Sequence, residues 1–247
     1  MSFLSLQDVS FSYDQNHLIV DEINFELEKG KFHSLLGKSG CGKTTLLKLA
    51  AGLLVPNKGT IQLQRERMKP SNHIGFVFQS PTLLEWKTVL ENVLLPVSLK
   101  RKVMKEDREK AESLLEGMGL ASTMQKYPMM LSGGQQSRVS IARALIQTPS
   151  LLFLDEPFAA LDAITREELQ EDLRRICDQN QMTVLFVTHD ISEAVYLSDR
   201  LAVMEAGRII LDLAINMQDR RNPKIRYTQN FNEMCLKIRN VISGENR

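Results

Sequence analysis

The chain has 247 residues, of which 43% are hydrophobic and 25% are charged, as in a globular protein with a sizeable core. Its 31 lysines and arginines nearly balance its 30 aspartates and glutamates, which argues against a nucleic-acid-binding surface and against membrane attachment by charge alone. Cys41, Cys177 and Cys235 have neither zinc-site nor disulfide-framework spacing. Because the sequence also lacks a membrane-spanning apolar stretch and a signal-peptide pattern, we expect a reducing, cytoplasmic setting.

The N-terminal part has the pattern of strands that lead into a glycine-rich loop. Apolar and polar residues alternate over residues 3–28, which predicts antiparallel strands. A further strand is predicted over 31–36, and a helix over Leu46 to Ala51. Between them the run GKSGCGKT, Gly37 to Thr44, fits the pattern G-x-x-x-x-G-K-[ST] at every fixed position. A strand, this loop and a helix are together the context of a phosphate-binding loop.

The residue types of this loop suit the phosphates of a nucleotide. Glycines let the backbone turn tightly and bring its N–H groups to phosphate oxygens, and the N-terminus of the following helix attracts the same anion. Lys43 would reach the β- and γ-phosphates, and the Thr44 hydroxyl would ligate Mg²⁺. An ordinary glycine-rich turn is the alternative interpretation. The predicted nucleotide-binding residues are Gly37, Lys38, Ser39, Gly40, Cys41, Gly42, Lys43, Thr44 and Thr45.

Residues 88–150 change character and predict a helical insert within an α/β core. One helix is predicted over Lys105 to Met118, and Ser132 opens another. The core then resumes with continuous apolar runs, Leu151 to Leu154 and Thr183 to Val187, as expected of strands that are buried on both faces.

The C-terminal part departs from this α/β pattern. We predict one unit over 1–217, followed over 218–247 by a basic segment and an amphipathic helix. The apolar positions of that helix run from Phe231 to Ile242. We expect the helix to dock on the core of its own chain, and the alternative is a tail that binds a partner.

Four further motifs follow the phosphate loop in order. They are LSGGQ (Leu131 to Gln135), LLFLDEP (Leu151 to Pro157), AALD (ending at Asp162) and THD (Thr188 to Asp190). LSGGQ alone could be no more than a helix start capped by its serine. With all five motifs in this order, the chain resembles the nucleotide-binding subunits of ABC transporters over residues 1–215. The resemblance implies a P-loop NTPase (RecA-like) α/β core with an antiparallel β subdomain and a helical insert.

The resemblance also implies ATP hydrolysis with Mg²⁺, and residues for it. Asp155 ends a buried strand, where its carboxylate can reach Mg²⁺, and the adjacent Glu156 is the candidate to accept a proton from the attacking water. In the family, His189 lies near the γ-phosphate and Gln79 touches Mg²⁺ and the attacking water. Tyr13 corresponds to the aromatic residue that stacks on adenine. For Gln79 a plain loop amide is the alternative, and for Tyr13 a buried strand residue.

LSGGQ implies that the chain acts as a pair. In ABC proteins this motif meets the γ-phosphate of ATP held by the opposite subunit, so we expect an ATP-bound homodimer with Asp162 in the dimer loop. The family further implies transmembrane permease subunits, an external solute-binding protein, no nucleic acid, and a location on the cytoplasmic face of the membrane. The predicted signature residues are Leu131, Ser132, Gly133, Gly134 and Gln135.

The runs SPTLLEWKTVLENV and DEPFAALDAITRE are similar to those of importers of nitrate, sulfonate, taurine or thiamine-precursor pyrimidines. The alternatives are an ABC-type ATPase of DNA repair or translation, and a non-catalytic regulatory module. The single tryptophan, Trp86, either packs under the helical insert or anchors a membrane partner. Departures from the subfamily pattern occur at Lys38, Glu85, Ser137 and Ala159.

Overall fold

A computed structural model describes residues 2–14, 17–64, 66–67, 74–159, 161–217 and 222–244. Ala160 of the AALD motif and residues 218–221 of the predicted basic segment lie outside these ranges. The chain divides into two compact units, one formed by 1–71 with 181–247 and the other by 72–180. Within the described ranges no helix has the length and hydropathy to cross a bilayer.

The regular elements alternate along the chain. The strands are β1 (Ser2–Phe11), β2 (Val20–Glu28), β3 (Phe32–Leu36), β4 (Lys58–Leu63), β5 (Glu66–Arg67), β6 (Ile74–Val77), β7 (Leu151–Asp155), β8 (Thr183–Thr188), β9 (Arg200–Glu205) and β10 (Arg208–Ala214). The α-helices are α1 (Lys43–Ala50), α2 (Val89–Ser98), α3 (Lys105–Gly117), α4 (Gly133–Leu145), α5 (Ala163–Gln179), α6 (Ile191–Leu197) and α7 (Gln229–Ser243). Short 3-10 helices cover Ala121–Thr123, Pro128–Met130 and Pro223–Tyr227.

The first unit contains an antiparallel sheet in the order β2-β1-β4-β5. In β1 the buried side chains change phase between Leu6 and Val9, where the register with β2 shifts. Asp8 absorbs the extra residue with a φ of 50°, and its side chain and N–H exchange two hydrogen bonds with the Asn24 amide at 2.9 and 3.0 Å. This bulge keeps apolar residues of both halves of β1 on the core face.

The first unit also contains parallel strands that carry the candidate site. β3 pairs in parallel with both β8 and β9, and β10 closes the β9 edge antiparallel. Every residue of β3 and β8 is buried, as expected of parallel strands that are covered on both faces. Helix α1 packs on β8, and α6 packs on β3 and β8. The terminal helix α7 packs against α6 and buries Phe231 and Ile238.

The second unit joins a parallel strand pair, β6 and β7, to four α-helices. Helix α2 packs against α3 and α4. Helix α2 opens at Thr88, whose hydroxyl accepts a hydrogen bond from the N–H of Glu91, while the Glu91 carboxylate accepts one from the N–H of Thr88. Such a capping box sets the helix start firmly. Between residues 89 and 145 the described elements are all helical, as the sequence predicted for the insert.

Candidate functional site

The phosphate loop follows β3, and two of its glycines are required by close packing. A Cβ atom on Gly37 would lie 2.3 Å from the carbonyl oxygen of Met204, and one on Gly42 would lie 2.5 Å from that of Ile19. Gly42 also has a φ of 105°, in the region that side chains disfavour. The hairpin turn between β9 and β10 contacts the phosphate loop, where the N–H of Gly207 donates to the Cys41 carbonyl at 3.2 Å.

Lys43 lies inside this loop. Its side chain is only 3% exposed, and its ammonium donates to the carbonyls of Gly37 and Lys38 at 2.8 and 2.9 Å. Helix α1 begins at Lys43 after Gly42, and no described side chain caps that end. The first N–H groups of a helix have no partner within the helix. A cation, the N-terminus of a helix and glycines that admit no side chain together suit a phosphate group.

Tyr13 lies beside the loop, although not in the strand where the sequence placed it. Strand β1 ends at Phe11, and a turn follows in which the Ser12 hydroxyl bonds the carbonyls of Asp14 and His17. The prediction of a strand residue was therefore wrong, because local polar side chains turn the chain first. The Tyr13 side chain is 64% exposed, which rules out the buried alternative. Its hydroxyl lies 3.4 Å from that of Thr45.

His189 lies at the same end of the parallel strands as the phosphate loop. Leu36 of β3 is in register with Thr188 of β8, so Gly37 and His189 each follow their strand at one edge. Ligands of open α/β sheets bind at this carboxyl edge. The first unit thus brings the phosphate loop, Tyr13 and His189 together.

The second unit places the two predicted acidic residues and Gln79 at one edge. Val77 of β6 is in register with Leu154 of β7, so Gln79 lies just beyond β6 and Asp155 ends β7. Asp155 is buried and Gln79 is exposed. Glu156 has a φ of 45°, a conformation that is unfavourable for a side chain and concentrates at functional sites. These positions suit the predicted roles of the three residues.

The signature segment forms the N-terminus of α4. The Ser132 hydroxyl accepts from the N–H of Gln135 at 3.3 Å, and the Gln135 amide oxygen accepts from the N–H of Ser132 at 3.0 Å. The serine cap that the sequence allowed is therefore present. Leu131 is buried, whereas Ser132 and Gly133 are exposed. A Cβ on Gly134 would lie 3.0 Å from Cγ2 of Thr165, so this glycine lets α4 approach the start of α5.

Asp162 caps that neighbouring helix. Its carboxylate accepts from the N–H of Thr165 at 3.0 Å, and main-chain and side-chain hydrogen bonds from Thr165 lower the pKa of the Asp162 carboxyl. Its predicted place in a dimer loop stays a prediction. Among the departures from the subfamily pattern, Ser137 is buried within α4, whereas Lys38, Glu85 and Ala159 are exposed.

Two residues that the sequence analysis missed hold the loop after Gln79. Arg143 of α4 donates to the carbonyls of Pro81 and Thr82 at 2.8 and 2.9 Å. Asn92 of α2 is fully buried. Its amide oxygen accepts a hydrogen bond from the N–H of Leu84, and its amide nitrogen donates to the carbonyls of Leu84, Lys87 and Thr88. Arg143 reaches the loop across about sixty positions of sequence, a contact that no local pattern reveals. Asn92 lies four to eight positions after the residues that it bonds, and a single amide at this spacing forms no motif. Between them they present Trp86, which is 73% exposed.

The ABC transporter family matches residues 20–159 of the chain. The aliphatic sulfonates import ATP-binding protein SsuB of Bacillus thuringiensis subsp. konkukian is 45% identical over 223 residues, 89% of this chain and 86% of that protein. The bicarbonate transport ATP-binding protein CmpC of Synechocystis sp. is 47% identical over 194 residues, 77% of this chain but 29% of that protein. A dimeric post-hydrolysis state of the ATP-binding cassette MJ0796, bound to ADP and Pi, superposes with a TM-score of 0.79 at 29% identity, covering 87% of this chain and 100% of that one. The chain belongs to the ABC transporter family and is one of its ATP-hydrolysing subunits.

Proposed function

We propose that the chain powers a bacterial ABC importer from the cytoplasmic face of the membrane, with a small sulfonate-type anion as cargo. The observation that carries the proposal is the buried Lys43 inside a loop of obligatory glycines, at the uncapped start of α1. The cargo class rests on the similarity to SsuB. A role in DNA repair or translation is not favoured, because the relatives reported above are transport subunits.

In this function the phosphate loop binds ATP through N–H groups and Lys43. Mg²⁺, when bound, neutralises charge that develops on the phosphates. Thr44, Asp155 and Gln79 are the residues that would hold the ion, because hydroxyl, carboxylate and amide oxygens are its preferred protein ligands. Glu156 accepts a proton from water, and the His189 imidazole hydrogen-bonds near the terminal phosphate.

Two copies of the chain are required. The start of α4 offers the N–H groups of Gly133, which is exposed, and Gly134, which is half-buried, but no basic residue within LSGGQ. We expect it to contact ATP held by the phosphate loop of a second copy. The dimeric state of the related MJ0796 cassette supports this arrangement.

The loop that carries Trp86 is the proposed permease contact. Large aromatic residues are enriched among interface hot spots, and the high exposure of Trp86 favours the anchor interpretation over packing beneath the insert. Arg143 belongs to the same helix as the signature segment, so a partner that moves this loop would act on α4 through its guanidinium. An external solute-binding protein would deliver the cargo.

Uptake by proteoliposomes tests the function. The chain is reconstituted with a candidate permease, and labelled alkanesulfonate, nitrate and bicarbonate are each offered with a matching binding protein outside. We expect ATP-dependent accumulation of the alkanesulfonate alone. Accumulation of a different anion would refute the cargo class, and ATP hydrolysis without any uptake would refute the importer.

A further inference from the structure

A buried carboxylate four positions after His189 has no role in the motifs above. Glu193 lies in the first turn of α6 and is 6% exposed. Its Oε2 accepts a hydrogen bond from the hydroxyl of Thr188 at 2.6 Å. Burial of a carboxylate is costly without strong hydrogen bonds, so the bond from Thr188 ties the position of this carboxylate to that of the Thr188 hydroxyl.

The Thr188 hydroxyl links this carboxylate to the turn that carries His189. While it donates to Glu193, it accepts from the N–H of Asp190 at 3.0 Å. The Asp190 carboxylate in turn accepts from the N–H groups of Ser192 and Glu193 at 2.7 and 3.1 Å. The residues on both sides of His189 are therefore fixed by one connected network.

Helix α6, which carries Glu193, is packed against other elements of the first unit. Helix α6 packs on β3 and β8, and α7 packs against α6. Tyr196 also belongs to α6, and the guanidinium of Arg226 lies 3.5 Å from the centre of its ring. Helix α6, which carries Glu193, is therefore packed against both strands and α7, and a group supported in this way can fix a neighbouring turn.

We propose that Glu193 is a positioning residue for ATP hydrolysis, which acts through Thr188 to hold the main chain of His189. The inference rests on the catalytic role given to His189 above. A displaced imidazole loses its hydrogen bond to the reacting groups, whereas nucleotide binding depends on the phosphate loop. Loss of Glu193 therefore lowers kcat and leaves nucleotide affinity intact.

The test uses the purified chain and single substitutions on each side of the bond. Glu193→Ala and Thr188→Val each lower kcat about tenfold to a hundredfold, the cost of misplacing a reacting group by about an ångström. The dissociation constant of a fluorescent ATP analogue stays near that of the parent chain. The Tm falls in Thr188→Val, because the buried Glu193 carboxylate loses this hydrogen bond, so kcat is measured well below the Tm of every variant. Glu193→Gln and Thr188→Ser keep an acceptor and a donor, and they restore most of the lost kcat. The double variant Glu193→Ala with Thr188→Val is no worse than either single one, because both remove the same link.

Further variants separate the role of Glu193 from that of His189. Glu233→Ala, an exposed carboxylate on α7, is the control that leaves kcat unchanged. If His189→Ala retains full kcat, the role of His189 fails. If His189→Ala is inactive while the folded Glu193→Ala and Thr188→Val variants hydrolyse ATP normally, the role of Glu193 is refuted. Should Glu193→Ala fail to fold, Thr188→Val against Thr188→Ser decides the same question.

Discussion

The starts of α1 and α4 are both glycine-rich, yet their N-termini are satisfied in different ways. At α1 the preceding residue is Gly42, none of the described side chains caps the helix, and the Lys43 ammonium lies 2.8 Å from the Gly37 carbonyl. At α4, Ser132 and Gln135 cap each other and the segment faces outward. The N-terminus of α1, with Lys43 beside it, can therefore bind an anion within one chain. The N-terminus of α4 is already capped by side chains of its own chain.

The difference explains why one chain would need a second. Leu131 to Gln135 contains no basic residue, and Arg138 farther along α4 bonds the Met118 carbonyl and Glu168. The α4 end can therefore add N–H groups to a phosphate whose charge is balanced elsewhere, but it cannot balance that charge. The phosphate loop of another copy supplies the balance, and each of the following predictions probes one side of this comparison.

The largest expected effect belongs to Glu156, which acts after both ends have engaged ATP. Glu156→Gln should keep ATP binding and lose about two to four orders of magnitude in hydrolysis, the usual contribution of a general base. ATP with Mg²⁺ should then accumulate a dimer in light scattering. A protein that stays monomeric at saturating ATP would contradict the proposed role of the α4 end.

Removing the positive charge of Lys43 tests the role of the α1 start in ATP binding. Lys43→Ala should weaken ATP binding by up to about 3 kcal/mol, roughly a hundredfold, because a charge-assisted contact is lost. Equilibrium binding of a fluorescent ATP analogue measures the change. Lys48→Ala, in the last turn of the same helix, should bind as the parent does. Equal affinity of the Lys43→Ala variant and the parent would sink the phosphate-loop assignment.

Arg143 connects α4 to the loop that carries Trp86, because it donates to the carbonyls of Pro81 and Thr82 in that loop. Trp86→Ala should leave the Tm of the isolated chain unchanged, because the side chain is 73% exposed. The ATPase activity of the isolated chain should stay within a few fold of the parent. Permease binding should weaken by about 2 kcal/mol, and transport and cargo-stimulated hydrolysis should fall together. An unfolded variant, or one that assembles and transports normally, would show that this loop is not the coupling surface.

The smallest effect separates the cap of α4 from its contact with ATP. Ser132→Ala and Thr88→Ala each remove the hydroxyl of a capping box, and each should lower the free energy of unfolding by about 1 kcal/mol. Only Ser132→Ala should also weaken the ATP-dependent dimer of the Glu156→Gln protein. If both substitutions weaken that dimer equally, the Ser132 hydroxyl has a structural role alone.

Local patterns predicted an α/β core with a helical insert, and the resemblance of the five ordered motifs implied the family and the ATPase activity; the comparisons confirm the fold, the family and the activity. The phosphate loop and the start of α4 were predictable because their glycines, Lys43 and Ser132 act on neighbours in sequence. The positive φ of Glu156 was not, since β7 ends without a glycine to mark the turn. Arg143 contacts Pro81 and Thr82 across about sixty positions, and periodicity does not detect contacts of that kind.

Complementation between two inactive chains tests the central claim most directly. Lys43→Ala has a damaged phosphate loop and an intact α4 end, whereas Ser132→Arg places a bulky side chain at the α4 end and leaves the loop intact. Each protein alone should hydrolyse little ATP. A mixed dimer contains one site with both parts intact, so mixing the two should restore hydrolysis and ATP-dependent dimers in light scattering. A mixture that is no more active than its two components would contradict the claim that ATP is shared between copies.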